Sequence, residues 1–234
     1  SKVAAGFSAS AAITTNGALY TWGDNTYGAL GTTASVSFAV AANPIPISAT
    51  DSWVAVSVGY DHSLGIKGDG TLWSWGLNAS GQLGVLSTAT QVSPVLVSGP
   101  ASTTWSKIAA GYSYSLAIDT NGRLWSWGAN ASGQLGINTL VTTAVSSPVL
   151  VSGPATTSWN LIVAGQFTQA SALAITTTGL LYGWGLNTAG QVGNLTITNV
   201  SSPVLVSGPV ATSWSAIASS GSHSVAISTT GALY

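Results

Sequence analysis

The chain has 234 residues, of which only 4% are charged: four Lys or Arg, five Asp and no Glu, for a net charge of −1. Four scattered cations (Lys2, Lys67, Lys107, Arg123) cannot build the phosphate-neutralising footprint of a nucleic-acid binder, nor a polybasic membrane patch, and no apolar run reaches the ~18 residues of a spanning helix. The absence of Cys removes disulfides, thiolate nucleophiles and thiolate metal sites, while a net charge near zero favours association into an assembly.

The pattern Trp-Gly-x-Asn-x-x-Gly-x-x-Gly occurs four times, starting at Trp22, Trp75, Trp127 and Trp184, in steps of 53, 52 and 57 residues. A period near fifty built from strand-like pieces predicts an all-β, radially repeated architecture. Residues 94–136 display one unit. Pro94 to Val97 reads as a short strand stopped by Gly99-Pro100, Trp105 to Gly111 as a second, Ser115 to Ile118 as a third and Arg123 to Trp127 as a fourth. Asn121-Gly122 between the last two is a hairpin signal of the type I′ class, matched by Asn16-Gly17, Asp69-Gly70, Thr178-Gly179 and Thr230-Gly231. Four short strands per unit make a blade.

Strand alternation sends Trp73 and Trp75 to one face and Leu72 and Ser74 to the other, so the motif rings are expected to wedge against the next blade. Each ring buries roughly 150–250 Å², which assigns Trp22, Trp75, Trp127 and Trp184 to the core rather than to a sugar-stacking platform. Asn25, Asn78, Asn130 and Asn187 are expected to bond to backbone within the motif turn. Asn194-Leu-Thr196 and Asn199-Val-Ser201 also read as glycosylation sequons in a loop.

The units differ most between each motif's last glycine and the next Pro-Val run: 32–43, 85–93, 137–147 and 194–202, with a further extension at 166–170. Such insertions map to one face of a repeat protein and often form its binding surface. The candidate contacts are Phe38, Thr90, Gln91, Asn138, Thr142, Gln166, Phe167, Gln169, Asn194 and Asn199, side chains suited to neutral contacts with protein or glycan.

Catalysis has little to work with. Two His and five Asp, without Glu or Cys, supply no nucleophile–base pair, carboxylate pair or metal-ligand set. Asp61-His62 is the one adjacent acid–His pair, and neighbours on a strand point to opposite faces. No catalytic residue, metal site or cofactor is therefore expected.

The joint pattern Pro-Val-Leu-Val, Trp-x-x-Ile-Ala-Ala-Gly-Tyr-x-x-Ser-Leu-Ala-Ile and Asn-Gly-x-Leu-Trp-Ser-Trp-Gly-x-Asn-x-x-Gly-Gln-Leu-Gly resembles the repeat of the regulator of chromosome condensation family, over Lys2 to Tyr234. The resemblance implies a β-propeller with four-stranded blades, usually seven of them. The repeats parse into one array with units at approximately 1–43, 44–93, 94–147, 148–202 and an incomplete 203–234, about four and a half blades. On this parse Ser1 to Val3 opens inside a second strand and Ala232 to Tyr234 breaks before a motif, so a longer native polypeptide is expected. The His-Ser pair of the family's third strand survives at His62-Ser63 and His223-Ser224 and is replaced elsewhere, at Ala9, Tyr114 and near Gln169.

Two functional readings follow. The first is a non-enzymatic scaffold exposed on a virion (a phage fibre or capsid-associated protein) or bacterial surface, binding protein or glycan and associating as a homo-oligomer. It rests on the near-verbatim copies at 146–154 and 201–209 and the richness in Ser, Thr, Gly and Ala. The second is an intracellular regulator, since the resemblance implies small-GTPase exchange and chromatin binding. Those activities use charged contacts and a basic tail, which this sequence lacks.

Overall fold

The computed structural model describes every residue except 33–39, 49–50, 155–156, 169–170 and 210–211, and of 141 and 142 the backbone alone. The described residues form strands and no helix. The first sheet holds β1 (Lys2–Ala5), β2 (Ala9–Ile13), β3 (Leu19–Asp24) and β4 (Val40–Ser48); the second holds β5 (Trp53–Val58), β6 (His62–Lys67), β7 (Leu72–Gly76) and β8 (Gln91–Leu96). The third has β9 (Trp105–Ala110), β10 (Tyr114–Asp119), β11 (Leu124–Asn130) and β12 (Val141–Leu150); the fourth has β13 (Trp159–Ala164), β14 (Ser171–Thr176), β15 (Leu181–Gly185) and β16 (Val200–Leu205). A fifth pairs β17 (Trp214–Ser219) with β18 (Ser224–Ser228). Every sheet is antiparallel in chain order, a partial β-propeller.

The sheets divide the chain one strand later than the sequence period does. The Pro-Val strand pairs back onto the preceding Trp-Gly strand, with Trp73 opposite Leu96 and Trp125 opposite Leu150. It is the last strand of its blade rather than the first. The first sheet accordingly has four strands, β1 among them. Adjacent antiparallel strands look alike from either side in a sequence, and only the ladder decides which neighbour takes the bonds.

The hairpin between β10 and β11 also departs from expectation. The Asp119 amide bonds to Arg123 O and the Gly122 amide to Asp119 O, and positive φ is confined to Gly122 (78°), Asn121 having none. This is a three-residue loop in which a type I turn precedes a left-handed glycine, not the type I′ pair the sequence predicts. The same bonds recur at 14–18 and 67–71.

The first strand of each sheet packs on the first and second strands of the sheet before, so β1, β5, β9, β13 and β17 line the propeller axis. The core is a set of seams. Leu64, Leu72, Trp105, Trp125 and Trp127 fill the one between the second and third sheets, and Leu116, Leu135, Trp159 and Trp184 the next. The motif tryptophan wedges against the preceding blade, not the next. Trp75 Nε1 donates to Ala29 O, Trp127 to Gln82 O and Trp184 to Gln134 O, at 2.8–2.9 Å. Room for each ring comes from the last motif glycine: a Cβ on Gly84 would lie 2.8 Å from Trp127 Nε1. Leu72 takes the opposite face, toward the third sheet. Trp22, in the first sheet, is half-buried.

Candidate functional site

The up-and-down order sends the loops between first and second strands, and those between third and fourth, to one end of the disc. The tight hairpins and the crossings between sheets lie at the other end. The described parts of the variable segments, with Gln166 and Phe167 of the extension, therefore share one face, here called the loop face.

The outer loops of this face are built by the motif asparagines. Asn130 Oδ1 accepts from the Leu135 amide at 3.0 Å, and its Nδ2 donates to Thr139 O at 2.8 Å, so a buried side chain ties the motif turn to the variable loop. Asn78 does the same with the Leu83 amide and with Ser87 O and Ala89 O. Asn187 accepts from the Val192 amide and donates to Thr196 O, and Asn25 accepts from the Leu30 amide. Each Oδ1 bond reaches five residues on and each of these Nδ2 bonds nine or eleven, farther than the Asx-turn the sequence suggests.

Several candidate contacts turn out to hold loops in place. Asn138 is exposed, sits at φ 60°, and its amide bonds to Ser201 O in the fourth sheet at 2.7 Å. Asn194 Oδ1 accepts from Asn187 Nδ2 and Asn199 Oδ1 from the Asn187 amide, both at 3.0 Å. Thr90 is exposed, and Gln91 opens β8 opposite Gly76. Phe38 and Gln169 lie outside the described residues, as does the Thr142 side chain.

Gln166 and Phe167 belong to a different group, at the axis. Gln166 Nε2 donates to Val58 O at 2.8 Å, reaching from the fourth sheet to the second. Phe167 meets Phe7 edge-on at 5.7 Å between centroids, Phe7 stacks on Tyr60 at 4.3 Å, and Tyr60 lies 4.5 Å from Tyr112. Four sheets thus contribute one ring each to a ladder that stays open to solvent, with Phe7 51% and Phe167 43% exposed. The backbone holds the ladder in register: the Phe7 amide bonds to Gly59 O, Tyr60 to Gly111 O and Tyr112 to Gly165 O. Beneath it the axial channel is walled by Ser57, Ala110, Ala164 and Ser219, and farther down by Val3, Val56, Lys107 and Leu161. Sequence reasoning missed Phe7, Tyr60 and Tyr112 as surface residues. The available signal was an aromatic directly after the glycine that ends each first strand, in Gly6-Phe7, Gly59-Tyr60 and Gly111-Tyr112.

Charge is sorted between the two ends. Asp24 ends β3 and Asp61 precedes β6, placing both on the loop face. The four Lys and Arg side chains lie on the other half of the disc. There Lys67 pairs with Asp51 at 3.0 Å and Arg123 with Asp119 at 2.7 Å. Partial burial, with Asp24 nearby, raises the Asp61 carboxyl above its ordinary range. Desolvation, then Tyr112 and Asp61, raises the Tyr60 phenol.

His62 is fully buried, and its Nε2 lies 2.9 Å from Ser115 Oγ in the next sheet. Burial lowers its pKa to about 3, so the ring is neutral at neutral pH and serves as a seam bond. Tyr114, at the equivalent position one blade on, donates to Ser171 O at 2.6 Å and accepts from the Gly165 amide. His223 is exposed. Asp61 is turned to the face while His62 is turned inward, so the pair builds no acid–base couple.

Comparison with known proteins agrees with this architecture. The model of the RCC1-like domain matches residues 1–234. The chain is 30% identical over 193 residues to the ultraviolet-B receptor UVR8 of Arabidopsis thaliana, covering 82% of this chain and 42% of that protein. It is 31% identical over 229 residues to the human E3 ubiquitin-protein ligase HERC2, covering 97% of this chain and 5% of that protein. The structure of Prp20p from Saccharomyces cerevisiae, a protein studied for binding Gsp1p and histones, superposes with a TM-score of 0.79 at 20% identity, over 96% of this chain and 55% of that one. The chain spans less than half the length of the two curated relatives. The relative HERC2 is a ubiquitin-protein ligase, an intracellular class of protein, which overturns the expectation of an extracellular or virion-surface location. With the repeat, the four-stranded blades and a match over its whole length, the chain belongs to the RCC1-like domain family.

Proposed function

We propose that this chain is a non-enzymatic, protein-binding propeller of the intracellular regulatory type, and that it binds through its loop face. The observation that carries the reading is the ladder Phe167–Phe7–Tyr60–Tyr112, an exposed aromatic strip at the axis framed by braced loops. Exposed contiguous apolar surface with a polar rim marks interaction sites, and aromatic residues are enriched at the centres of protein interfaces. The relatives support the class: a receptor, a ligase of which this chain matches a small part, and a protein that binds Gsp1p and histones. A virion or fibre role has no counterpart among them, and neither does a glycan ligand.

The test is affinity capture from extract of the source cells, followed by direct binding of the purified captured protein. Binding should fall at least tenfold in a Phe7→Ser, Tyr60→Ser, Tyr112→Ser variant and stay unchanged in Asp69→Asn on the opposite end. Equal loss from both variants, or binding indifferent to the ladder, overturns the loop-face reading.

A further inference from the structure

Resting on that reading, we propose that the aromatic ladder and the Asp24–Asp61 pair form a docking site for an arginine-bearing basic segment of a protein partner. The fold itself supplies the pattern. At the opposite end it twice places a cation between a carboxylate and an indole. Lys67 pairs with Asp51 and sits 4.0 Å from the Trp73 ring centre, and Arg123 pairs with Asp119 and lies 5.3 Å from Trp125. The loop face presents the same two components, carboxylates and open rings, without the cation. Asp24 and Asp61 have no ion-pair partner among the described residues, and no Lys or Arg falls on this half of the disc.

The geometry favours a particular kind of cation. Asp61 directly follows Tyr60 in the chain, and its carboxylate lies close enough to raise the phenol of a ring that is stacked on Phe7. Partial burial and the nearby Asp24 raise the proton affinity of Asp61, and a cation that approaches both carboxylates relieves their repulsion. A guanidinium can lie flat on an aromatic face while its fork of N–H donors meets a carboxylate, whereas an ammonium is a compact, strongly hydrated point charge. The four-ring strip also offers apolar cover for the methylene stem of the arginine.

The proposal is tested by calorimetric titration of the 234-residue protein with three nonapeptides that alternate glycine with arginine, lysine or glutamate. The arginine peptide is expected to bind, the lysine peptide at least fivefold more weakly, and the glutamate peptide not at all. Asp24→Asn with Asp61→Asn, and separately Tyr60→Leu with Tyr112→Leu, should each weaken the arginine peptide at least tenfold with melting temperature held. Asp69→Asn at the opposite end should change nothing. No binding of the arginine peptide, or equal binding by wild type and both double variants, overturns the proposal. Light scattering reads the competing occupant: self-association abolished by Asp24→Asn with Asp61→Asn would assign the site to the basic end of a second copy and overturn the proposal too. If capture of a protein partner depends on the ladder while the arginine peptide fails to bind, the loop-face reading stands and the arginine assignment alone falls. If the peptide binds as expected while capture is indifferent to the ladder, the assignment stands and the loop-face reading falls.

Discussion

Trp127 donates its indole N–H to the carbonyl oxygen of Gln82, 2.8 Å away across the seam between the second and third sheets. Ser115 Oγ donates to the same oxygen at 2.7 Å, so one backbone carbonyl gathers two donors from the next blade. Ser63 and Trp75 repeat the arrangement on Ala29 O. Trp127→Phe keeps most of the buried ring and deletes one donor. Its expected effect is a loss of about 1–2 kcal/mol, read by urea denaturation as a lower midpoint with an unchanged slope. Trp127→Ala, which also opens a cavity, should cost about 3–5 kcal/mol.

Gly84 clears room for the ring of the next blade. Its φ is 70°, and a Cβ there would lie 2.8 Å from Trp127 Nε1. Gly84→Ala should cost about 2–4 kcal/mol, about 1 from the left-handed conformation and the rest from overpacking. In a Trp127→Leu background the overpacking disappears, and the same substitution should cost only about 1 kcal/mol. An equal cost in both backgrounds, read by urea denaturation, would refute the assignment of Gly84 to ring clearance.

Asn130→Asp tests the tie between motif and loop. The substitution keeps an oxygen for the Leu135 amide and loses the Nδ2 donor to Thr139 O. Amide hydrogen exchange should quicken at 138–140 while the Leu135 amide stays protected, with global stability falling by about 1–2 kcal/mol.

His62 gives the protein an acid-side weakness. Its pKa is 6.5 in an unfolded chain and about 3 in the buried site, so between those values the unfolded chain binds more protons and acid favours unfolding. The contribution is complete above pH 6.5 and is lost as pH falls toward 3, up to a ceiling of about 5 kcal/mol at 1.36 kcal/mol per unit. Denaturation midpoints of wild type and His62→Gln should converge as pH drops from 7 to 4. Parallel curves would show that His62 does not carry this dependence.

The loop-face site was only partly legible in the chain. The extension at Gln166 and Phe167 stands out because it breaks the repeat. Phe7, Tyr60 and Tyr112 pass as ordinary members of it, since each is separated from the ring it touches by about one repeat. Conversely, Asn138, Asn194 and Asn199 resemble free loop polar groups, yet their hydrogen bonds hold neighbouring backbone and side chains.

The sequence by itself determined what local chemistry can determine: strands from alternation, turns from Asn-Gly and Asp-Gly, a blade from four strands, and the burial of Trp75, Trp127 and Trp184 from their place within strands. It also excluded a charged nucleic-acid footprint, because the cations are too few. Tertiary structure alone decided which neighbour each Pro-Val strand joins, which blade each tryptophan leans on, and that the variable loops, where described, share a face with four converging aromatics. Those outcomes depend on contacts between residues a whole repeat apart. Such contacts exist only once the blades have wrapped around an axis and brought the same position of successive units side by side.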